Sequence, residues 1–136
     1  MDWMGGQCFV GRQQSPIDVP AAGSPTQQLQ FAYTPKAAPL EVSNTGSTLS
    51  LDLAGLDYGG VMFEEVWYPL LNINVHAYSE HTLQNQRFHG ELHLVHKRNN
   101  GAEFLIIAVP IWTGVPLVIA APAAAPLPGS PPCPAP

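Results

Sequence analysis

The segment ELHLVHKRNNGAEFLIIAVPIW, residues 91–112, contains two apolar runs separated by the polar break RNNGA. The first run alternates apolar and polar side chains, which is typical of a β-strand with one buried face. The break combines Asn and Gly, the residues that favour the backbone of a hairpin loop. The segment therefore predicts two neighbouring antiparallel strands.

Four other segments predict further strands. LQFAY, PLEVSN and STLSLDL (29–33, 39–44 and 47–53) each predict a strand with a half-buried face. WYPLLNINVHAYS (67–79) is a longer alternating run, and the NTG at 44–46 is a turn signal. Since no segment shows a helical period, the 136 residues predict a mainly β fold with antiparallel neighbours in one domain.

The last third of the chain has a different composition. Residues 104–127 carry no charge and are long enough to cross a bilayer. Each proline inside a helix costs about 3 kcal/mol, and four prolines argue against a membrane helix here: Pro110, Pro116, Pro122 and Pro126. The chain is therefore divided into a β domain at 1–114 and an extended Pro/Ala-rich tail at 115–136.

Charge excludes some partners and favours others. The chain has 5 Lys and Arg against 10 Asp and Glu, for a net charge of −5, and it has no basic run. Nucleic acid is therefore excluded as a partner, and an anionic membrane surface is disfavoured. Charged residues make up 11% of the chain, less than half of the roughly 25% usual in soluble domains. We expect other protein subunits to cover part of the surface, and membrane contact only through a larger complex.

The two cysteines, Cys8 and Cys133, lie near opposite ends of the sequence. They are compatible with one disulfide, which would indicate an oxidising compartment, and equally with two free thiols. An organelle lumen or another non-cytosolic compartment is slightly favoured, and the compartment itself stays open.

All five histidines fall within NINVHAYSEHTLQNQRFHGELHLVH, residues 72–96. Histidine is a common zinc ligand. Side chains two apart on a strand share a face, so Asn74 and His76 share one, and Glu91 and His93 share another. If these strands are neighbours, His76 and His93 converge on one point, where Glu91 could hold the second nitrogen of a ligand histidine.

The other histidines fit a shared metal site poorly. His96 points to the opposite face from His93, and His89 lies about 13 Å from His93 along an extended strand. His81 and Glu80 fall between the two strands. A catalytic zinc needs three protein ligands, yet the best third position holds Asn74, whose neutral amide is a poor zinc ligand. For His76 and His93 the metal and hydrogen-bonded-core interpretations both stay open.

Several motifs together resemble the α-class carbonic anhydrases. SEHT at 79–82 followed by ELHLVH at 91–96 is similar to the signature of that family. QSPIDV (14–19), LEVSNTGSTLSLDL (40–53) and EFLIIAVPIW (103–112) resemble its other motifs in the same order. The resemblance covers about residues 7–113. It implies a partial carbonic-anhydrase-like twisted, mostly antiparallel sheet.

The resemblance also implies roles for individual residues. His76 matches the second zinc ligand of the family and His93 the third. Glu91 matches the hydrogen-bond partner of that third ligand, Glu80 the acid that orients the zinc-bound hydroxide, and His81 a structural buried histidine.

The sequence departs from the family pattern where the chemistry occurs. Asn74 stands at the first ligand, Asn72 at its supporting Gln, and Ser47 at the proton-shuttle histidine. Ala77-Tyr78 replaces the family's Trp-Gly, and the family domain is roughly twice as long. Among the residues of this chain we therefore assign no catalytic group with certainty.

These observations predict a non-catalytic, carbonic-anhydrase-like structural or interaction subunit of a larger assembly. We expect no cofactor, and zinc at His76 and His93 only if the site is functional. Two alternatives remain: an active zinc carbonate dehydratase with a divergent ligand set, and a fragment of such an enzyme.

Overall fold

The computed structural model describes Arg12, residues 14–21, residues 29–112 and the backbone of 121–123. Every regular element in these ranges is a strand, which confirms the predicted mainly β class. In the described part of the chain, no helix has the length and apolar character needed to cross a membrane. Cys8, Cys133 and the tail outside 121–123 lie beyond the described residues, so the predictions about them stay predictions.

Eleven strands follow one another in the residues that the structure describes. They are β1 Asp18–Val19, β2 Gln30–Tyr33, β3 Val42–Asn44, β4 Leu49–Asp52, β5 Gly59–Phe63, β6 Val66–Ala77, β7 Thr82–Leu83, β8 Gln86–Arg87, β9 Gly90–Lys97, β10 Phe104–Ile111 and β11 Ala121–Ala123.

Eight of the strands form one curled antiparallel sheet. Its main order is β11-β10-β9-β6-β4-β3, and β5 pairs with β6 on one side and β2 on the other. The twelve residues of β6 pair with β9 over most of their length, with a register shift between Leu70 and Asn72. A small second sheet joins β1, β7 and β8, with β1 parallel to β7. The β6–β9 pair thus lies at the centre of the fold.

The two faces of the large sheet have different chemistry. The core is on one face, where Val61 and Tyr68 pack with Leu105 and Ile107. Because faces alternate along a strand, the opposite face carries the other residues of β6, β9 and β10. Near the centre of the sheet these are mostly polar in β6 and β9. The fold therefore separates a core that stabilises it from a polar face.

The predicted turns are confirmed. Gly46 has a φ of 92°, and its amide donates to Oδ1 of Asn44, closing the NTG turn between β3 and β4. In the RNNGA loop between β9 and β10, Asn100 has a φ of 57°, and the amide of Arg98 donates to the carbonyl of Glu103. Asn and Gly accept these left-handed conformations at low cost.

The half-buried face predicted for the first segments is wrong for two strands. All residues of β2 and β3 are exposed. The reason is their place in the sheet, since among the described strands β2 pairs only with β5 and β3 only with β4. Alternation correctly indicated strands, but it did not show that these lie at the edges, where the described part of the chain offers little to cover them.

Candidate metal centre

His76 and His93 converge on the polar face. Asn74 lies directly opposite His93 in the β6–β9 ladder, and His76 lies opposite Glu91. Opposed residues of an antiparallel pair project from the same face. The rings of His76 and His93 have centroids 4.5 Å apart, which confirms the convergence predicted from strand parity.

Glu91 is the centre of the hydrogen bonds at this site. Its side chain is 1% exposed, and its Oε1 accepts from Nδ1 of His81 at 2.6 Å and from Nε2 of His93 at 2.5 Å. Its Oε2 accepts from the backbone amide of His81 at 3.0 Å. The predicted contact between Glu91 and a candidate ligand histidine is therefore present.

These bonds determine the charge and the tautomers at the centre. Burial raises the pKa of Glu91, but the hydrogen bonds from His81 and His93 outweigh burial and hold the pKa well below its ordinary value. Glu91 is thus a carboxylate, which only accepts hydrogen bonds. Neutral His93 then carries its proton on Nε2 and leaves the lone pair of Nδ1 available.

Glu80 approaches both converging histidines. Its Oε1 lies 3.4 Å from Nδ1 of His76 and its Oε2 lies 3.8 Å from Nε2 of His93. Burial lowers the pKa of His76, and the charge of Glu80 opposes this effect without overcoming it. His76 therefore favours the neutral imidazole, the form that binds metals.

Asn74 and Asn72 occupy the remaining positions on this face of β6. Nδ2 of Asn74 donates to Oδ1 of Asn72 over 3.4 Å, a long hydrogen bond. On the other side of β6, Asn74 lies opposite Ser50 of β4. The residues in register with His93 on the next two strands are therefore Asn74, an amide, and Ser50, a hydroxyl. Neither is a second imidazole.

His96 and His89 lie elsewhere, as predicted from strand parity for His96 and from the distance along the strand for His89. His96 is fully buried on the core side, where its Nδ1 donates to the carbonyl of Leu105 and its Nε2 accepts from the hydroxyl of Tyr33. His89 precedes β9, with its ring 5.3 Å from that of Trp112. His96 is therefore a core histidine.

Strand parity alone missed two of the contacts at the site. His81 was set apart from His93, yet Glu91 joins them, and the hydroxyl of Ser15 lies 3.1 Å from Nε2 of His81. Glu80 follows β6 in an irregular turn where Tyr78 has a φ of 35°. The spacing of four residues between His76 and Glu80 was visible in the sequence, but the direction of this turn was not.

A curled antiparallel sheet whose central strands bring two histidines together, one of them hydrogen-bonded to a buried glutamate, agrees with the predicted resemblance to the α-class carbonic anhydrases. The family model described as eukaryotic-type carbonic anhydrase matches residues 1–106. The chain belongs to this family.

Individual relatives agree with this assignment. Carbonic anhydrase Nec1 of Nesocodon mauritianus is 34% identical over 94 residues, which cover 68% of this chain and 33% of that protein. The α-carbonic anhydrase of Thermovibrio ammonificans, solved with the inhibitor sulfanilamide, superposes with a TM-score of 0.68 at 29% identity and covers 79% of this chain and 47% of that one.

A relative with a different name has the same fold. Dioscorin, solved as a complex with ascorbate, superposes with a TM-score of 0.68 at 26% identity over 80% of this chain and 46% of that chain. In each of these comparisons the chain spans less than half the length of the relative. The chain is thus also similar to a protein that is not named a carbonic anhydrase.

The family's zinc can be tested against the donor atoms present. His93 is suitable because Glu91 orients its ring through Nε2, and His76 is suitable because burial lowers its pKa and favours the neutral imidazole. The third imidazole of the family set is replaced by the amide of Asn74, which is a poor ligand for zinc. The residues therefore do not fit the three-histidine zinc site, and no hydration step through such a site follows.

Proposed function

We propose that this chain is a non-catalytic, carbonic-anhydrase-like domain that serves as a structural or interaction subunit of a larger protein assembly. The observation that carries the proposal is the pair of Asn74 and His93, opposed across β6 and β9. At the position where the family pattern requires an imidazole, the chain has a neutral amide that donates to Asn72.

The hydrogen bonds retained at the site are compatible with a structural role. Glu91 connects β9 with the 79–82 segment through His81, and this bond would stabilise the fold whether or not a metal is bound. The residues that differ from the family pattern are those needed for chemistry. Loss of one ligand with retention of the framework is the expected result if folding, rather than turnover, has been selected.

The surface supports the interaction part of the proposal. Large apolar side chains are exposed on the edge strands β2 and β3, on β4 and at the end of β10: Phe31, Val42, Leu49, Ile111 and Trp112. Exposed apolar groups together with a charged fraction of 11% are typical of a surface that another protein covers. We propose other protein subunits as partners, membrane contact only through such a complex, and an organelle lumen or another non-cytosolic compartment as the location.

Stopped-flow CO2 hydration by the purified chain, supplied with one equivalent of zinc, tests the catalytic part of the proposal. We expect no rate above that of the zinc-containing buffer. Hydration that is abolished by His93→Ala would instead show the active carbonate dehydratase with a divergent ligand set. Asn74→His is the matched variant, because it restores the imidazole that the family pattern requires.

Sizing of the endogenous protein tests the interaction part. In a native extract we expect the chain to migrate in a complex much larger than 14.6 kDa, whereas the purified chain runs as a smaller species. An endogenous protein that migrates as a free monomer would contradict the subunit role. The intact mass of the endogenous chain, measured in parallel, distinguishes a complex from a longer polypeptide.

A further inference from the structure

The polar face contains two groups of three side chains with suitable metal-ligand atoms. One is His76, Glu80 and His93, and the other is His81, Glu91 and His93. In each group the candidate ligand atoms lie within 4.8 Å of one another. The two groups differ in the hydrogen bonds that their carboxylate already accepts.

The Glu91 group is already satisfied. Its carboxylate is buried and accepts from two imidazoles and one backbone amide. A metal bound there would break hydrogen bonds to a buried charge, each of which contributes about 1.5–3 kcal/mol. The first group is different. In the described part of the chain, the polar contacts of Glu80 are with two side chains alone: Oε1 lies 3.4 Å from Nδ1 of His76 and Oε2 lies 3.8 Å from Nε2 of His93.

We infer that Glu80 replaces the ligand lost at Asn74, so that His76, Glu80 and His93 form a two-histidine, one-carboxylate site for a divalent transition-metal ion. Glutamate is a regular zinc ligand, and two histidines with one glutamate form a known zinc set, whereas a neutral amide is a poor ligand. Glu91 accepts from Nε2 of His93, so this ring would bind the ion through Nδ1.

The separations are close to those that coordination requires. Ligand atoms about 2.1 Å from a tetrahedral ion lie about 3.4 Å apart, the distance already found between Glu80 and His76. Glu80 follows β6 in an irregular turn and its side chain is one third exposed. Its contact with His93 is at Nε2, the nitrogen that Glu91 holds. The Glu80 side chain must therefore rotate towards Nδ1 of His93 to complete the site.

The carboxylate would also change what the ion can do. It neutralises one of the two positive charges of the ion, so the site has weaker Lewis acidity than a site with three neutral imidazoles. Metal binding and the absence of CO2 hydration are therefore compatible. The inference does not depend on the proposed subunit role, because it is tested by metal affinity rather than by activity or assembly.

The test is titration of the metal-free full chain with Co²⁺, followed by visible absorption, with Zn²⁺ competition to obtain affinities. We expect one Co²⁺ per chain. Glu80→Gln should weaken binding by more than about 100-fold, above the range typical of an outer hydrogen-bond partner. Asn74→Ala is the matched control and should leave both the affinity and the absorption spectrum unchanged.

A double variant identifies the position of the site. Asn74→His combined with Glu80→Gln should regain Co²⁺ binding, with a spectrum that differs from that of the unmodified chain because nitrogen has replaced oxygen. Circular dichroism confirms that each variant is folded. The inference is overturned if the folded chain binds no Co²⁺, if Glu80→Gln binds as the unmodified chain does, or if Asn74→Ala loses binding to the same extent.

Discussion

The hydroxyl of Tyr33 on β2 lies 2.8 Å from Nε2 of His96 on β9, although 63 residues separate them in sequence. Nδ1 of His96 faces the carbonyl of Leu105, which can only accept, so Nδ1 carries the proton and Nε2 accepts from Tyr33. This hydrogen bond ties an exposed edge strand to the centre of the sheet.

Removal of that hydroxyl should destabilise the fold. Tyr33→Phe leaves Nε2 of the buried His96 without its donor, at a cost of about 1 kcal/mol in the free energy of unfolding. Tyr58→Phe is the matched control, since the buried hydroxyl of Tyr58 has no partner among the described residues. Urea unfolding compares the two, and an equal loss of stability in both variants would contradict the role of the Tyr33 bond.

The stability of the chain should fall in mild acid. Burial lowers the pKa of His96, so the unfolded chain binds this proton more readily than the folded chain. The contribution is therefore fully present above the ordinary histidine pKa of about 6.5, and it is lost as the pH drops below that value.

Urea midpoints at pH 7.5 and pH 5.5 measure this loss. One histidine contributes at most about 1.4 kcal/mol across this window, and His76, whose pKa burial also lowers, acts in the same direction. His96→Gln should reduce the difference between the two midpoints. The expectation fails if this variant, still folded at pH 7.5, shows the full pH dependence of the unmodified chain.

The two glutamates near the histidines should differ in their effect on folding. Glu91→Gln keeps the shape but removes the charge that three donors share, so we expect a loss of about 1.5–3 kcal/mol. Glu80→Gln removes a partly exposed charge with longer contacts and should cost less than about 1 kcal/mol. Thermal and urea unfolding compare them, and a reversed order would disprove the structural role of Glu91.

The turn after β6 should be strained at Tyr78. This residue has a φ of 35°, and its side chain is largely exposed. A Cβ in the left-handed region costs about 1–2 kcal/mol, so Tyr78→Gly should be more stable than Tyr78→Ala by about 1 kcal/mol. The Ala variant is the control for loss of the ring, and equal stability of the two variants would show that the turn is relaxed.

Much of the sheet could be predicted because alternation and turn residues are local properties. The strands around ELHLVHK and EFLIIAVPIW form as expected, with the loop between them. Strand β5 was missed, because Gly59-Gly60 gives no alternation and reads as a turn. The reason for the glycine is non-local: a Cβ on Gly60 would lie 2.2 Å from the carbonyl oxygen of Tyr68 on β6.

The candidate site could be predicted in part for the same reason. Strand parity predicted that His76 and His93 converge if their strands are neighbours, because both histidines lie in regular strands. The position of Glu80 depends on the irregular turn at Tyr78, and the link to His81 depends on how the 79–82 segment folds back over Glu91. Neither the position of Glu80 nor the link to His81 can be derived from the two-residue alternation of side chains along a strand.

The two faces of the sheet have a consequence for how this chain can change over generations. Between Asn72 and His76, the side chains of Ile73 and Val75 point away from the polar face, while the intervening residues point towards it. Selection for folding and selection for binding therefore act on alternate residues of β6. A ligand on the polar face of β6 could therefore be lost or exchanged without altering the side chains of this strand that point to the core.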